Sequence, residues 1–202
     1  MRSRVQLAFG LPVQDVLELN ENQRIDVSEI NRILKDSKTE LFQQAREGKI
    51  NTPKLMEGIA KLTNEAESKL QTLLDENQRT RLDELFVQIN GVKALSDPNV
   101  VNALGLSDEQ RELLEHSRDE NTKSLRAAYP TFRTMTKEQQ RTKFESLQSE
   151  NRERMLAILT DDQRMQLEAM KGEPIDFDHS DFRIRRSRTN RTRNVSKQRS
   201  EQ

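Results

Sequence analysis

Metal-binding chemistry would depend on two histidines and the carboxylates, because the sequence contains no cysteine. His179 lies in the acidic run 176–181, which could hold a cation weakly. The run lacks the ligand spacing of a zinc site, so an exposed acidic loop is the favoured interpretation. His116 lies in a glutamate-rich stretch and is expected to be solvated. The sequence therefore predicts no metal site.

Catalytic motifs are also missing from the sequence. It has no Gly-rich phosphate loop, no nucleophile elbow and no HExxH pattern, and its six glycines leave little for ligand-binding loops. Aspartate and glutamate occur throughout the chain, so carboxylate pairs on helical surfaces are too common to indicate an acid–base site. We therefore predict a protein that is not an enzyme and that needs no cofactor.

The strongest charge feature is a basic tail, residues 183–202, with eight Arg or Lys and one Glu. The preceding 182 residues carry 26 basic and 33 acidic side chains. The basic residues of the tail are Arg183, Arg185, Arg186, Arg188, Arg191, Arg193, Lys197 and Arg199. They could pair with phosphates of nucleic acid or anionic lipid in a salt-sensitive way. Because no stacking aromatic lies beyond Phe182, a disordered, solubilising tail that rests on the acidic body is favoured.

The elements that would position any site are marked by a five-residue pattern, Leu-cap-x-x-Gln, which occurs four times. The leucines are Leu19, Leu74, Leu106 and Leu159, the capping residues are Asn20, Asp75, Ser107 and Thr160, and the glutamines are Gln23, Gln78, Gln110 and Gln163. This is the spacing of a capping box, in which the cap side chain and the glutamine each accept the other's backbone N–H. Each copy therefore predicts the start of a helix, which is a structural role.

The four copies form two pairs with nearly the same offset. The first and third copies are 87 positions apart, and the second and fourth are 85 apart. Flanking apolar residues repeat with them. A long-period repeat of this kind indicates a duplicated architecture. We predict two homologous helical units, 12–91 and 98–172, followed by an extended segment, 173–182, and the basic tail.

Composition fixes the fold class. Apolar residues make up 32% of the chain and charged residues 34%, whereas typical domains have about 45–50% and about 25%. A thick globular core is therefore not expected, but long, well-solvated helices with narrow apolar seams fit both values. We predict an all-α protein in which antiparallel long-helix hairpins form the two units, giving an elongated or cradle-like shape.

Several details of the helices follow from local patterns. Thr52 is expected to cap a helix that has Pro53 at its first position, and Pro130 is expected to break the long helix that follows Ser107. Thr136 begins a fifth capping box. Asn151 falls at a seam position of the next helix, where a polar residue fixes register at a cost in stability.

The two ends of the chain carry weaker signals. Residues 1–12 have the charged beginning of a signal peptide but no apolar stretch of 7–15 residues, so we expect either a cytoplasmic protein or a form that lacks its export signal. No apolar run is long enough to span a membrane. The segment 173–182 is expected to dock on the helices through Ile175 and Phe177.

The four Leu-cap-x-x-Gln copies and the long charged helices between them resemble the LTxxQ-motif family of bacterial periplasmic stress proteins (Spy/CpxP-like). The resemblance covers about 12–172 and includes the closing segment 171–174, Lys-Gly-Glu-Pro. Only the copy at 159–163 matches the motif fully, and the others replace Thr by another capping residue. Family members carry two motifs per chain and form a cradle of hairpins, usually as a dimer. Four motifs in one chain suggest a tandem form that is a monomer or a homodimer.

The resemblance implies a periplasmic protein that binds unfolded or stressed client proteins without ATP, with the motif residues in structural roles. As a lesser alternative, it implies a sensor of metal stress. The competing interpretation is a structural or interaction scaffold whose basic tail binds an anionic polymer, either nucleic acid or membrane lipid. The two interpretations differ in one consequence. A chaperone-like protein should keep its activity when the chain is truncated at Arg183, whereas a tail-dependent binder should lose it.

Overall fold

The computed structural model describes residues 1–175, so the predictions for Phe177, His179 and the basic tail lie outside the described residues. Helix makes up 81% of the described residues and no strand occurs among them, which confirms the all-α prediction. The α-helices are α1 (Arg4–Ala8), α2 (Leu11–Val16), α3 (Glu21–Arg46), α4 (Thr52–Leu73), α5 (Glu76–Asn90), α6 (Pro98–Ala103), α7 (Asp108–Phe132), α8 (Lys137–Ala157) and α9 (Asp161–Ala169). A 3-10 helix, Gly91–Ser96, separates α5 from α6. No helix in residues 1–175 is long and apolar enough to cross a membrane.

Capping boxes begin most of the longer helices. All five boxes predicted from the sequence are present, with caps Asn20, Asp75, Ser107, Thr136 and Thr160. In each box the cap side chain accepts the backbone N–H of the third helical residue, and the glutamine there accepts the backbone N–H of the cap. The predicted starts of α3, α5, α7, α8 and α9 are therefore confirmed.

Two local predictions were wrong. The cap of α4 is Asn51, whose side chain accepts the Lys54 backbone N–H at 3.1 Å, so Thr52 is the first helical residue. Pro130 lies inside α7, which continues to Phe132. Proline removes the hydrogen bond that its own N–H would donate and its ring crowds the carbonyl one turn back, and α7 ends two residues after it.

Helices α3 and α4 form an antiparallel pair joined by residues 47–51. At one end the Gln23 side chain donates to the Leu73 carbonyl at 3.1 Å. Towards the connection Leu41 lies against Gly58, where a Cβ would come within 2.9 Å of the leucine Cδ1. Glycine at this position therefore lets the two helices approach closely. Between these points one apolar cavity is lined by Ile30, Ile33, Leu34, Leu62 and Ala66.

Helices α7 and α8 form a second antiparallel pair, joined by residues 133–136. The Gln110 side chain donates to the Ile158 carbonyl at 2.9 Å at one end, and the Gln140 side chain donates to the Phe132 carbonyl at 2.6 Å near the connection. The buried residues of the two helices are Leu114, Ser117, Leu147, Asn151 and Met155. Phe144 of α8 is exposed. A two-helix hairpin covers only a narrow stripe of each helix, so a large side chain at its border stays in solvent.

The thickest part of the core lies where the short helices meet the ends of the long ones. Val5 and Leu7 of α1 are fully buried, and α1 packs against α4 and α5. The 3-10 helix contributes buried Ala94 and Leu95 and contacts α5, α6 and α8. Helix α1, which the repeat pattern left outside both predicted units, is thus part of the core.

The segment that follows α9 returns to α5. Gln88 of α5 donates to the Glu173 carbonyl at 3.1 Å and accepts the Ile175 backbone N–H at 3.2 Å. Gly172 has a φ of +61°, and a Cβ there would lie 2.1 Å from a Glu84 carboxylate oxygen. A side chain here would adopt the left-handed conformation that favours glycine and would have to displace the Glu84 carboxylate. Ile175 is partly buried against the core, in agreement with the expected docking of this segment.

Candidate functional site

The motif glutamines pair with each other across the fold. Gln23 donates to the Gln78 side-chain oxygen at 2.7 Å, and Gln78 donates back at 3.2 Å. Each glutamine still accepts the N–H of its own cap, at 3.0 Å from Asn20 and 3.1 Å from Asp75. Gln78 also donates to the Leu17 carbonyl. We call this arrangement the first glutamine clasp, and it joins the N-terminus of α3 to that of α5.

A second clasp with the same pattern joins the N-termini of α7 and α9. Gln110 donates to the Gln163 side-chain oxygen at 2.7 Å, and Gln163 donates back at 3.1 Å. Both accept the N–H of their own caps, Ser107 and Thr160. Gln163 also donates to the Leu104 carbonyl. The motif glutamines therefore have two roles, capping their own helix and binding the partner copy.

The residues on either side of each glutamine complete the motif. All four motif leucines are buried. In every copy the glutamine is followed by an arginine that donates to the carbonyl of the motif leucine. These arginines are Arg24, Arg79, Arg111 and Arg164. The functional unit of the sequence pattern is thus Leu-cap-x-x-Gln-Arg, and its parts close the base of each hairpin through amide and guanidinium hydrogen bonds.

Removing one cap tests the structural role of the motif. Thr160→Ala deletes the hydroxyl that accepts the Gln163 backbone N–H at 3.2 Å. We expect a loss of about 0.5–2 kcal/mol in the free energy of unfolding. The exposed change Lys137→Ala should stay within about 0.5 kcal/mol. Equal urea midpoints for the two variants would contradict the capping role.

Arg4 forms a buried ionic centre that nothing in the sequence pattern marked. Its guanidinium donates to Asp97 at 2.8 Å, pairs with Asp83, and lies 4.1 Å from the centroid of the buried Phe86 ring. Burial alone would lower the pKa of Arg4, but the hydrogen bonds to Asp97 and Asp83 outweigh it and raise the pKa. Asp97 also caps α6. The centre therefore links α1, α5 and α6 and acts as structural support.

Large apolar side chains are exposed along both hairpins, near the clasps at Ile25 and Leu113 and towards the far ends at four further positions. On α3 and α4, Phe42 is 48% and Met56 60% exposed. On α7 and α8, Tyr129 is 69% and Phe144 48% exposed. We call these four residues the tip side chains. They lie among charged residues on helices whose other ends are fixed by the clasps, and such surfaces can contact apolar segments of another chain.

The surface ion pairs do not form an acid–base site. Hydrogen bonding from Arg32 lowers the pKa of the exposed Glu29, and hydrogen bonding from Lys123 lowers that of the exposed Glu120. Both are pairs three residues apart on one helix face. Such pairs are solvated and contribute little to stability. Their perturbed pKa values therefore follow from ordinary helical pairing.

Of the metal and polymer-binding candidates of the sequence, the structure describes only His116. His116 is exposed, as expected. Within residues 1–175, no group of three His, Asp or Glu side chains is placed to hold a metal ion. His179 and the eight basic residues of the tail lie outside the described part of the chain, so their predicted roles stay predictions.

Comparisons with protein families, curated proteins and solved structures found no match to this chain. The resemblance to the LTxxQ-motif family therefore depends on the motif residues alone.

Proposed function

We propose that this chain is a non-enzymatic protein that binds unfolded or exposed segments of other proteins without ATP, as the LTxxQ-motif resemblance suggests. The exposure of the tip side chains is the observation that best supports this function. An unfolded client offers apolar side chains that gain from leaving water, and Phe42 and Tyr129 offer large apolar surfaces to receive them. Charged residues around the tips would attract charged parts of the client and keep binding weak enough for release.

Substitution of the tips tests this proposal. A variant with Phe42→Ser, Met56→Ser, Tyr129→Ser and Phe144→Ser should lose most of its ability to slow aggregation of a chemically unfolded test protein. All four side chains are exposed, so the helical fold should survive, which circular dichroism will check.

A matched control carries Leu11→Ser and Met165→Ser, which alter exposed apolar side chains of α2 and α9, outside the hairpins. This control should protect the client as well as the parent does. An equal loss of protection in both variants would mean that general surface hydrophobicity, and not the tip side chains, slows client aggregation. Full protection by the tip variant would refute the assignment.

The tandem organisation belongs to the same proposal. The two long helices of the first half have 26 and 22 residues, and those of the second half have 25 and 21. Each half also has a glutamine clasp of the same pattern. These features support two homologous hairpin units in one chain, in which the second unit takes the place of a dimer partner. With the LTxxQ-motif resemblance, this organisation leads us to propose a periplasmic location and a monomeric or homodimeric state.

A scaffold that binds an anionic polymer is the second candidate, and the charge separation in the sequence favours it. The last 20 residues carry eight basic side chains and one acidic one. Binding of the full chain to DNA or to phosphatidylserine vesicles should therefore fall steeply between about 50 and 200 mM salt. A chain ending at Phe182 should not bind. Undiminished binding by this shorter chain would exclude the tail as the binding element.

A further inference from the structure

The seam between α7 and α8 contains buried oxygen atoms that have no hydrogen-bond partner in the described part of the chain. They are Ser117 Oγ, Asn121 Oδ1 and Asn151 Oδ1. Ser117 is 8% and Asn151 4% exposed. The Asn151 amide nitrogen reaches only the Met155 sulfur, at 3.5 Å. A buried acceptor without a donor disfavours the closed arrangement, and here three occur on one hairpin.

The corresponding stretch of the α3–α4 hairpin is apolar. Shifting by the repeat offset of 87 places Ser117 on Ile30 and Asn121 on Leu34, and shifting by 85 places Asn151 on Ala66. These three first-half residues line the seam of α3 and α4. The same position in the fold is therefore lined by hydrocarbon in one hairpin and interrupted by polar groups in the other.

The register of α7 against α8 brings the polar groups to one level. The contacts Gln110 to Ile158 and Gln140 to Phe132 define an antiparallel pair. Counting one residue of α7 for each residue of α8 from the first contact sets Ser117 opposite Asn151, and counting from the second contact sets Asn121 opposite Asn151. The three residues therefore lie within about one turn of each other. Buried apolar side chains flank this level, namely Leu114, Leu147 and Met155.

We propose that the α7–α8 seam opens and receives an extended apolar segment of an unfolded client chain. The backbone N–H groups of this segment donate to Ser117 Oγ, Asn121 Oδ1 and Asn151 Oδ1, and its side chains pack on the flanking apolar residues. This inference rests on the proposed function and assigns the client a binding place beyond the tip side chains.

The chemistry of the seam selects this occupant. An unfolded chain offers unpaired N–H donors together with apolar side chains, and the seam offers acceptors between apolar flanks. Water would donate hydrogen bonds to the oxygens, but it would make no favourable apolar contact with Leu114 or Met155, as a client segment would.

Exchanging the seam residues tests the proposal. A variant with Ser117→Ile, Asn121→Leu and Asn151→Ala carries the seam residues of α3 and α4. In the parent protein, amide hydrogen exchange in α7 and α8 should be at least tenfold faster than in α3 and α4. The triple variant should lose most of this difference. Protection of an unfolded, alkylated test protein should fall at least fivefold relative to the parent.

A reversible cross-link between α7 and α8, called a lock below, tests the proposal even if the triple variant does not fold. The chain has no cysteine, so Glu120→Cys with Arg154→Cys, whose native charges interact across α7 and α8, can be joined by a short disulfide-containing cross-linker that a dithiol cleaves. Ile33→Cys with Lys69→Cys, which border one cavity between α3 and α4, gives the matched lock. The first lock should abolish protection until the linker is cleaved, and the second should leave it unchanged.

The outcomes separate the two proposals. If the triple variant and the variant locked between α7 and α8 both slow client aggregation as well as the parent does, the seam inference is overturned. The proposed function then still stands. Equal amide exchange in the two hairpins of the parent would also overturn the seam inference. A parent that protects no client would overturn both.

Discussion

Arg4→Ala should lower the free energy of unfolding by about 3 kcal/mol, because it leaves the mostly buried Asp97 carboxylate without its cation. The value lies at the low end for a broken buried pair, since the other partner, Asp83, is half exposed. The contact with the Phe86 ring is lost as well. A urea titration followed by circular dichroism measures the change.

Arg32→Ala is the matched control, since Arg32 pairs with Glu29 and Asp36 on an exposed face of α3. Its urea midpoint should equal that of the parent, because exposed pairs are solvated. If Arg4→Ala unfolded at the same urea concentration as Arg32→Ala, the ionic centre would not hold α1 to the core.

Gln163→Ala should cost about 2 kcal/mol, because it removes half of a capping box and the reciprocal hydrogen bonds with Gln110. Gln139→Ala is the appropriate comparison. Gln139 accepts the N–H of its cap, Thr136, in the same way but takes part in neither clasp. This change should cost about 0.5 kcal/mol.

The difference between these two variants isolates the clasp from the cap. A double-mutant cycle of Gln110→Ala and Gln163→Ala should give a coupling energy of about 1 kcal/mol. Additive effects of the two changes would show that the glutamines act only on their own helices.

Local signals in this sequence were sufficient to predict the helices. A capping box involves residues only three positions apart, so the starts of α3, α5, α7, α8 and α9 could be placed correctly. The error at Thr52 has the same local origin, since Asn51 and Thr52 are both capping residues and only the side-chain geometry decides between them. The all-α class followed from composition and periodicity together.

Long-range roles could not be predicted in this way. The partner of Gln23 in its clasp is 55 residues away, and a glutamine in a capping box already has a sufficient local explanation. The constant Gln-Arg pair in all four copies was the available signal, because capping alone does not need the arginine. Arg4 gave no signal, since one arginine near a chain end is most often solvated.

The polar seam was predicted in part. Asn151 was expected at a seam position, and it is buried there. Ser117 and Asn121 become informative only when the register of α7 and α8 places them near Asn151 and when the first half supplies Ile30 and Leu34 for comparison. Polar helix residues in isolation indicate a solvated face.

The central claim is that this protein binds unfolded clients through its hairpins, and a light-scattering assay tests it most directly. Several unrelated, chemically unfolded test proteins are diluted into buffer without nucleotide, with and without a near-equimolar amount of the full chain. We expect slower aggregation of each client, and nearly the same effect from a chain that ends at Phe182. Unchanged aggregation of every client, together with co-purification of a single specific partner, would contradict the claim and favour the scaffold.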